Sequence, residues 1–317
     1  MRPRPVWPHT VWSAARCAGA ARRDAVASLL GIARRHIAAP LLGVALFGAA
    51  AWLFCPSAEG TPAATAADPS PDAADTESLA AADSLSGNDW LARIDEAEDV
   101  PASYGTFRQT ITTSGGSQRT LAARSWSISS GDISLLVYTA PPRVAGDKIL
   151  LRKGGDQIWY YMERRDVTRH FVGSARRQSA MGSDFSYEDL ATGDLTEDYT
   201  AELLGFEELD GVGCIKLECR PTESGPSYER LLLWAGRDDH LTRRIDYFDE
   251  QGRIKTLRLG DFQVIEGRRW GMRLVMTNHR EGSQTKIVQE EITFDVDPDP
   301  QLFTQSALAR DLSRVRP

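Results

Sequence analysis

Histidine is scarce in this chain, and what there is carries no recognisable chemistry. Of five histidines, His9 and His36 lie in the N-terminal region, leaving His170, His240 and His279 in the body. No HExxH motif, clustered Cys/His spacing, Walker loop or GxSxG elbow is present, so metal-assisted hydrolysis, phosphate cradling and serine-nucleophile catalysis have no carrier. Carboxylate pairs such as Asp238-Asp239 and Glu290-Glu291 fall beside turns or at strand ends, where solvated surface explains them. The expectation is a protein that is not an enzyme and holds no cofactor or metal. Basic charge is also missing where a nucleic-acid binder would need it. Seven arginines precede residue 68 against Asp24 and Glu59, which leaves 30 basic and 42 acidic side chains in the remaining 250 residues. A body that acidic lacks the footprint that displaces counterions from a phosphate backbone.

Cysteine is sparse too. Cys17 and Cys55 belong to the N-terminal region, and Cys214 and Cys219 fall on one expected strand at an odd separation. That spacing points them to opposite faces, roughly 17 Å apart along the strand, whereas a disulfide needs Cα atoms within about 7 Å. They are expected to remain unpaired.

What the N-terminal region does have is a basic stretch over 1–36 followed by an uncharged apolar run over 37–54, IAAPLLGVALFGAAAWLF. Such a run spans about 27 Å as a helix, close to the hydrocarbon thickness of a bilayer. Arg34 and Arg35 precede it and nothing basic follows until Arg93, which leaves the N-terminus in the cytoplasm and the body outside. A cleaved signal peptide and an uncleaved membrane anchor are both open. Leu53 and Phe54 stand before Cys55 where an acylated lipoprotein cysteine would need a small residue, and the surroundings of Arg34-Arg35 do not fit a twin-arginine signal. Residues 55–89 form an acidic Ala/Thr/Ser/Pro/Asp segment that buries too little apolar surface to order itself, a flexible linker.

Asn88-Asp89 offers a helix start, with Trp90, Leu91, Ile94 and Ala97 on one face and Pro101 as a stop. Beyond Tyr104, β-branched and aromatic runs alternate with turn chemistry at Gly115-Gly116, Gly154-Gly155, Asp210-Gly211, Gln251-Gly252, Glu266-Gly267 and Glu281-Gly282. This is the pattern of successive hairpins. Strands are expected near 104–113, 118–127, 132–139, 147–152, 157–162, 199–208, 212–220, 228–234, 241–248, 253–265, 269–279 and 284–295, with a polar interruption over 170–198 and a short helix within 299–312. The fold class is α+β, a large curled antiparallel sheet with one or two helices over residues 90–317. So wide a sheet twists and curls, and its inside must be filled or must bind something. Met272, Leu274 and Met276 share one face, as do Trp159 and Tyr161, and Leu231 and Leu233. Either these are core under the few helices, or they line a cavity.

The interruption reads RRQSAMGSDFSYEDL from Arg176 to Leu190, after Ile158-Trp159-Tyr160-Tyr161 and a Pro141-Pro142-Arg143-Val144-Ala145-Gly146 segment, with Leu302-Phe303-Thr304 near the end. In one register from about Trp90 to Arg310, this resembles the LolA-like outer-membrane lipoprotein-sorting family. The resemblance implies an open β half-barrel with a lid over a hydrophobic cavity, and the traffic of acyl chains of lipids or lipoproteins across the periplasm. On that reading Trp159, Tyr161, Leu231, Leu233, Met272, Leu274 and Met276 line the cavity, and Met181, Phe185 and Tyr187 cover it. Arg176 and Arg177 hold the lid or meet a phosphate or carboxylate, unless they pair with Asp184, Glu188 and Asp189 to fix a loop. In the family's sorting chaperone an arginine on an early strand latches the lid, and no motif assigns it here. The partners implied are an inner-membrane transporter of ABC or RND type and an outer-membrane acceptor, with the carrier a monomer. The alternative is a membrane-tethered module, either a sensor similar to RseB or an accessory of an RND-type lipid exporter.

Overall fold

The computed structural model describes residues 85–128, 133–152, 157–191, 194–223 and 225–315; the apolar run over 37–54 and the linker up to 84 lie outside them. Among the described residues no helix is long and apolar enough to cross a membrane. Helix α1 (Gly87–Glu98) begins earlier than the sequence suggests. Ser86 is its N-cap, and a reciprocal pair closes the first turn, Asp89 N donating to Ser86 Oγ and Ser86 N to the Asp89 carboxylate. Asn88 acts elsewhere, on the edge of the sheet, where its side-chain carbonyl accepts from Ala201 N at 2.7 Å.

Thirteen strands follow: β1 (Ala102–Thr112), β2 (Gln118–Ile128), β3 (Ile133–Ala140), β4 (Lys148–Arg152), β5 (Gln157–Met162), β6 (Val167–Phe171), β7 (Tyr199–Leu209), β8 (Val212–Pro221), β9 (Arg230–Gly236), β10 (Thr242–Asp249), β11 (Gly252–Ile265), β12 (Arg268–Asn278) and β13 (Ser283–Phe294). Twelve match the expected strands to within a few residues; β6 is the addition. The tight turns do what their residues allow. Asp210-Gly211 and Glu266-Gly267 both have positive φ at the two central positions, the left-handed pair that matches strand twist in a two-residue hairpin.

All thirteen strands join one antiparallel sheet in the order β6-β5-β4-β3-β2-β1-β13-β12-β11-β10-β9-β8-β7. Only β1 and β13 pair out of sequence, and the sheet stays open, with β6 and β7 as its two edges. These edge strands are consecutive in the chain. At about 4.8 Å per strand the edges stand nearly 60 Å apart along the sheet, so residues 172–198 must traverse its whole width. The polar interruption is thereby forced across one face of the sheet.

Burial follows two faces. On the inner face, α1 packs Trp90, Leu91 and Ile94 over Leu217, Leu231, Leu233 and Met276, while the crossing segment packs Tyr187 and Ala180 over Leu121, Leu136, Ile149, Ile158 and Phe171. Leu190 and Ile287 touch both clusters and join them. On the outer face, the C-terminal segment lays Leu302, Phe303, Leu308 and Leu312 over Trp126, Leu135, Leu150, Trp159 and Tyr161. That segment folds as two 3-10 turns, Pro300–Phe303 and Gln305–Ala307, instead of the expected helix. Arg124 of β2 secures it by donating to the Leu312, Ser313 and Val315 carbonyls. Trp159 and Tyr161 share a face as expected, but it is this outer one. On β8, Cys219 joins the inner cluster and Cys214 does not; both are buried free thiols.

Candidate functional site

The crossing segment is held residue by residue. Ser179 and Ser186 form an isolated bridge, and Ala180, Met181, Gly182 and Ser183 make a turn closed by Ser183 N donating to Ala180 O at 3.0 Å. Met181 and Gly182 have φ of 53° and 65°, so the second of them is best met by glycine. A Cβ on Gly182 would stand 2.5 Å from the guanidinium of Arg119 and push it aside. Arg119, on β2, donates from Nη2 to the carbonyls of Met181 and of Gly182, the latter at 2.8 Å. Desolvation and the nearby charge of Arg143 lower its pKa from the usual arginine value. This is an arginine on an early strand clasping the covering segment through its backbone. No side-chain motif could signal it, because its targets are carbonyls 62 and 63 residues away.

Between Asp184 and Leu190 the three carboxylates are the anchors. The Asp184 carboxylate accepts from Ser283 Oγ and from Thr285 Oγ1 on β13, and its N–H donates back to Thr285 Oγ1 at 2.9 Å. Phe185 enters the cluster under α1, while Tyr187, on the other side, stacks on Phe171 with ring centres 4.3 Å apart. Burial pushes the Tyr187 hydroxyl up to about 12. Ser186 and Asp189 exchange N–H bonds with each other's side chains. Glu188 accepts from Ser227 N and Ser227 Oγ, and Asp189 accepts from Tyr228 and from Lys255 Nζ, the last at 2.9 Å. The carboxylates of this stretch thus tie it to β13, β11 and the loop before β9. Arg177 is exposed and Arg176 half-buried.

Between the crossing segment and α1, over β9 to β13, lies a cavity of about 360 Å³. Its walls are Phe185, Leu190, Leu231, Ile245, Leu257, Leu259, Leu274 and Ile287, with Tyr199, Tyr228 and Tyr247 adding aromatic faces. Of the residues expected from the sequence, Phe185, Leu231 and Leu274 line it. Leu233 and Met276 are fully buried in the cluster beneath α1 and do not reach it. Met272 lines a shallower depression with Tyr104 and Ile265, and Met181 and Tyr187 belong to the neighbouring cluster. Trp159 and Tyr161, on the outer face, are cut off from it by the sheet itself. The cavity wall is therefore built of leucine, isoleucine and tyrosine in place of the expected methionine. Among the described residues no group of three or more His, Cys, Asp and Glu side chains could hold a metal ion.

An open antiparallel sheet with a tied covering segment and an apolar cavity beneath it is the LolA-like architecture. A family model described only as that of an uncharacterized protein matches residues 130–310. A DUF1329 family protein from Desulfovibrio piger is 30% identical over 70% of this chain and 97% of its own, with a TM-score of 0.66. A putative outer membrane lipoprotein-sorting protein domain from Vibrio parahaemolyticus is 22% identical over 71% of this chain and 98% of its own, with a TM-score of 0.65. A LolA superfamily protein from Nitrosomonas europaea shares the fold at 19% identity, covering 71% and 100% of the two chains with a TM-score of 0.60. A search of the curated proteins gives no match. The chain belongs to the DUF1329 family, and its fold is that of the LolA-like proteins.

Proposed function

We propose that this protein is a periplasmic carrier that holds the acyl chains of lipids or lipoproteins in the inner-face cavity on their way toward the outer membrane. The observation that carries the reading is the apolar cavity between α1 and the crossing segment, roofed by residues tied to three parts of the sheet. Each methylene moved from water into such a cavity gains about 0.8 kcal/mol. A volume near 360 Å³ is in the range of small-ligand sites. Loading from an inner-membrane transporter and delivery to an outer-membrane acceptor fit a carrier of this kind.

A fluorescent fatty acid should bind the full chain and be displaced by an unlabelled one. Leu274→Trp, which fills the cavity from β12, should weaken that binding at least tenfold while the protein stays folded. Binding unchanged by Leu274→Trp, or no binding at all, would refute the assignment. The apolar run over 37–54 favours a second reading, a carrier or sensor that stays tethered to the inner membrane. Sequencing the N-terminus of the mature protein separates the two, since a tethered protein retains that run and a shuttling one has lost it.

A further inference from the structure

The two open edges of the sheet carry opposite charge. Along the β7 edge, residues 194–210 hold seven carboxylates and no lysine or arginine. Along the β6 edge, residues 163–177 hold Arg164, Arg165, Arg169, Arg176 and Arg177 against Glu163 and Asp166. Charge on an edge strand discourages pairing with another chain, and either sign does this. Edge protection therefore leaves the reversal of sign at β6 unexplained in a body with so large an acidic excess.

The two acids of the β6 edge are turned to the protein. Glu163 accepts from Lys148 Nζ at 3.1 Å, and its N–H donates to Asp147 Oδ1 at 2.9 Å. Asp166 accepts from the Tyr161 hydroxyl at 2.9 Å. The turn between β5 and β6 is thus pinned through its carboxylates, and its arginines are left to solvent. Arg164, Arg165, Arg169 and Arg177 are exposed, and among the described residues none of the four forms a hydrogen bond or an ion pair. Exposed arginines elsewhere on the sheet are committed: Arg108 holds Glu290, Arg258 holds Asp210 and Arg273 holds Asp261. Val167 and Val172, at the two ends of β6, are 43% and 59% exposed. Phe171 stacks on Tyr187, which fixes this edge to the crossing segment. The five residues of β6 place the arginine pair of the turn about 17 Å from the far end of the strand. A row of unpaired guanidinium groups flanked by exposed aliphatic side chains suits a plane of phosphate headgroups, since each guanidinium is a fork of donors that matches phosphate oxygens.

We infer that the β6 edge is a docking surface for an anionic phospholipid bilayer, on which the protein stands edge-on with the acidic β7 edge turned away. The inference does not depend on what fills the cavity. The full chain is treated with hydroxyphenylglyoxal, which modifies free guanidinium groups, alone and with vesicles of phosphatidylcholine or of phosphatidylcholine mixed with phosphatidylglycerol. Modification is read peptide by peptide, so the arginines before residue 68 are scored apart from those of the body. The mixed vesicles should slow modification of Arg164, Arg165, Arg169 and Arg177 at least fivefold and leave Arg258 and Arg280 unchanged. High ionic strength should abolish the protection. A basic side chain near such a surface is worth about fivefold in binding. Replacing Arg164→Gln and Arg165→Gln together should therefore weaken docking roughly twentyfold and return Arg169 and Arg177 to their unprotected rates. Equal protection by phosphatidylcholine alone, slowing of Arg258 and Arg280 to the same degree, or no protection at all overturns the inference. Protection by polyglutamate but not by the mixed vesicles also overturns it, and assigns the edge to an acidic protein.

Discussion

Replacing Arg119 with methionine should loosen the crossing segment without dismantling the sheet. The guanidinium donates to two carbonyls of the turn over 180–183 and sits at the junction of β2 with that turn. Bonds from a charged donor are each worth about 1.5–3 kcal/mol, and the half-buried setting of Arg119 argues for the lower end. Both bonds come from the one Nη2 and are weaker than two independent ones, so losing them costs the segment about 2 kcal/mol, or roughly a thirtyfold rise in its open population. Methionine keeps the aliphatic stem that covers β2, so the neighbouring cluster of Leu121, Ile149 and Ile158 stays packed. The assay is native-state hydrogen exchange resolved by peptide. Amides over 178–190, including Tyr187 N and Glu188 N, which donate to the Gln178 and Arg176 carbonyls, should exchange about thirty times faster. Amides of β8 and β9 should be unaffected. If exchange rises equally across the sheet, Arg119 is a packing residue and not a clasp. If exchange over 178–190 does not change, the Asp184, Glu188 and Asp189 anchors suffice and the argument fails.

Two further outcomes follow from the charges and thiols. Asp246 is almost fully buried, and although burial works to raise its pKa, bonds from Arg244, Thr256 and Arg253 hold it below the usual carboxylate value. A depressed folded pKa gives stability that is present above the unfolded value, about 3.9, and is lost as pH falls through the folded one. Asp246→Asn should therefore cost on the order of 3 kcal/mol at neutral pH and flatten the acid limb of thermal stability; parallel acid limbs in the two proteins would refute this. Cys219, buried with its thiol pushed up to about 12, and Cys214, also raised by burial, should resist iodoacetamide in the folded chain and react only on unfolding. Peptide-resolved labelling that finds either one modified in the native state, or finds them disulfide-linked, contradicts the opposite-face geometry.

The strand meander was legible because hairpin turns announce themselves through Asp-Gly and Glu-Gly pairs and because one buried face leaves a period of two. Strand β6 escaped notice for the opposite reason. Val167 to His170 are exposed and only Phe171 is buried, so no alternation exists to detect. Alternation also placed Trp159 with Tyr161 but could not say which face of the sheet the C-terminal segment would cover, and that segment decided the matter. The methionines of β12 have the chemistry of a cavity wall, yet Met276 is fully buried in the core cluster, while Leu274, one step along the same face, stands at the wall. Arg119 carried no signal at all, because it acts on backbone carbonyls distant in sequence.

The order of the strands bears on how a ligand could enter. The crossing segment leaves β6 at one edge of the sheet and reaches β7 at the other, so both of its ends are fixed to the structure it covers. It cannot swing clear as a flap hinged at one end would. Its central anchors differ in kind: Asp184 is gripped by two hydroxyls of β13, whereas the 180–183 turn depends on the single guanidinium of Arg119. Loosening of the segment therefore starts at the turn. On its other side the cavity is bounded by α1, which is tied to β7 through Asn88 on Ala201 and to β10 through Glu98 on Thr242.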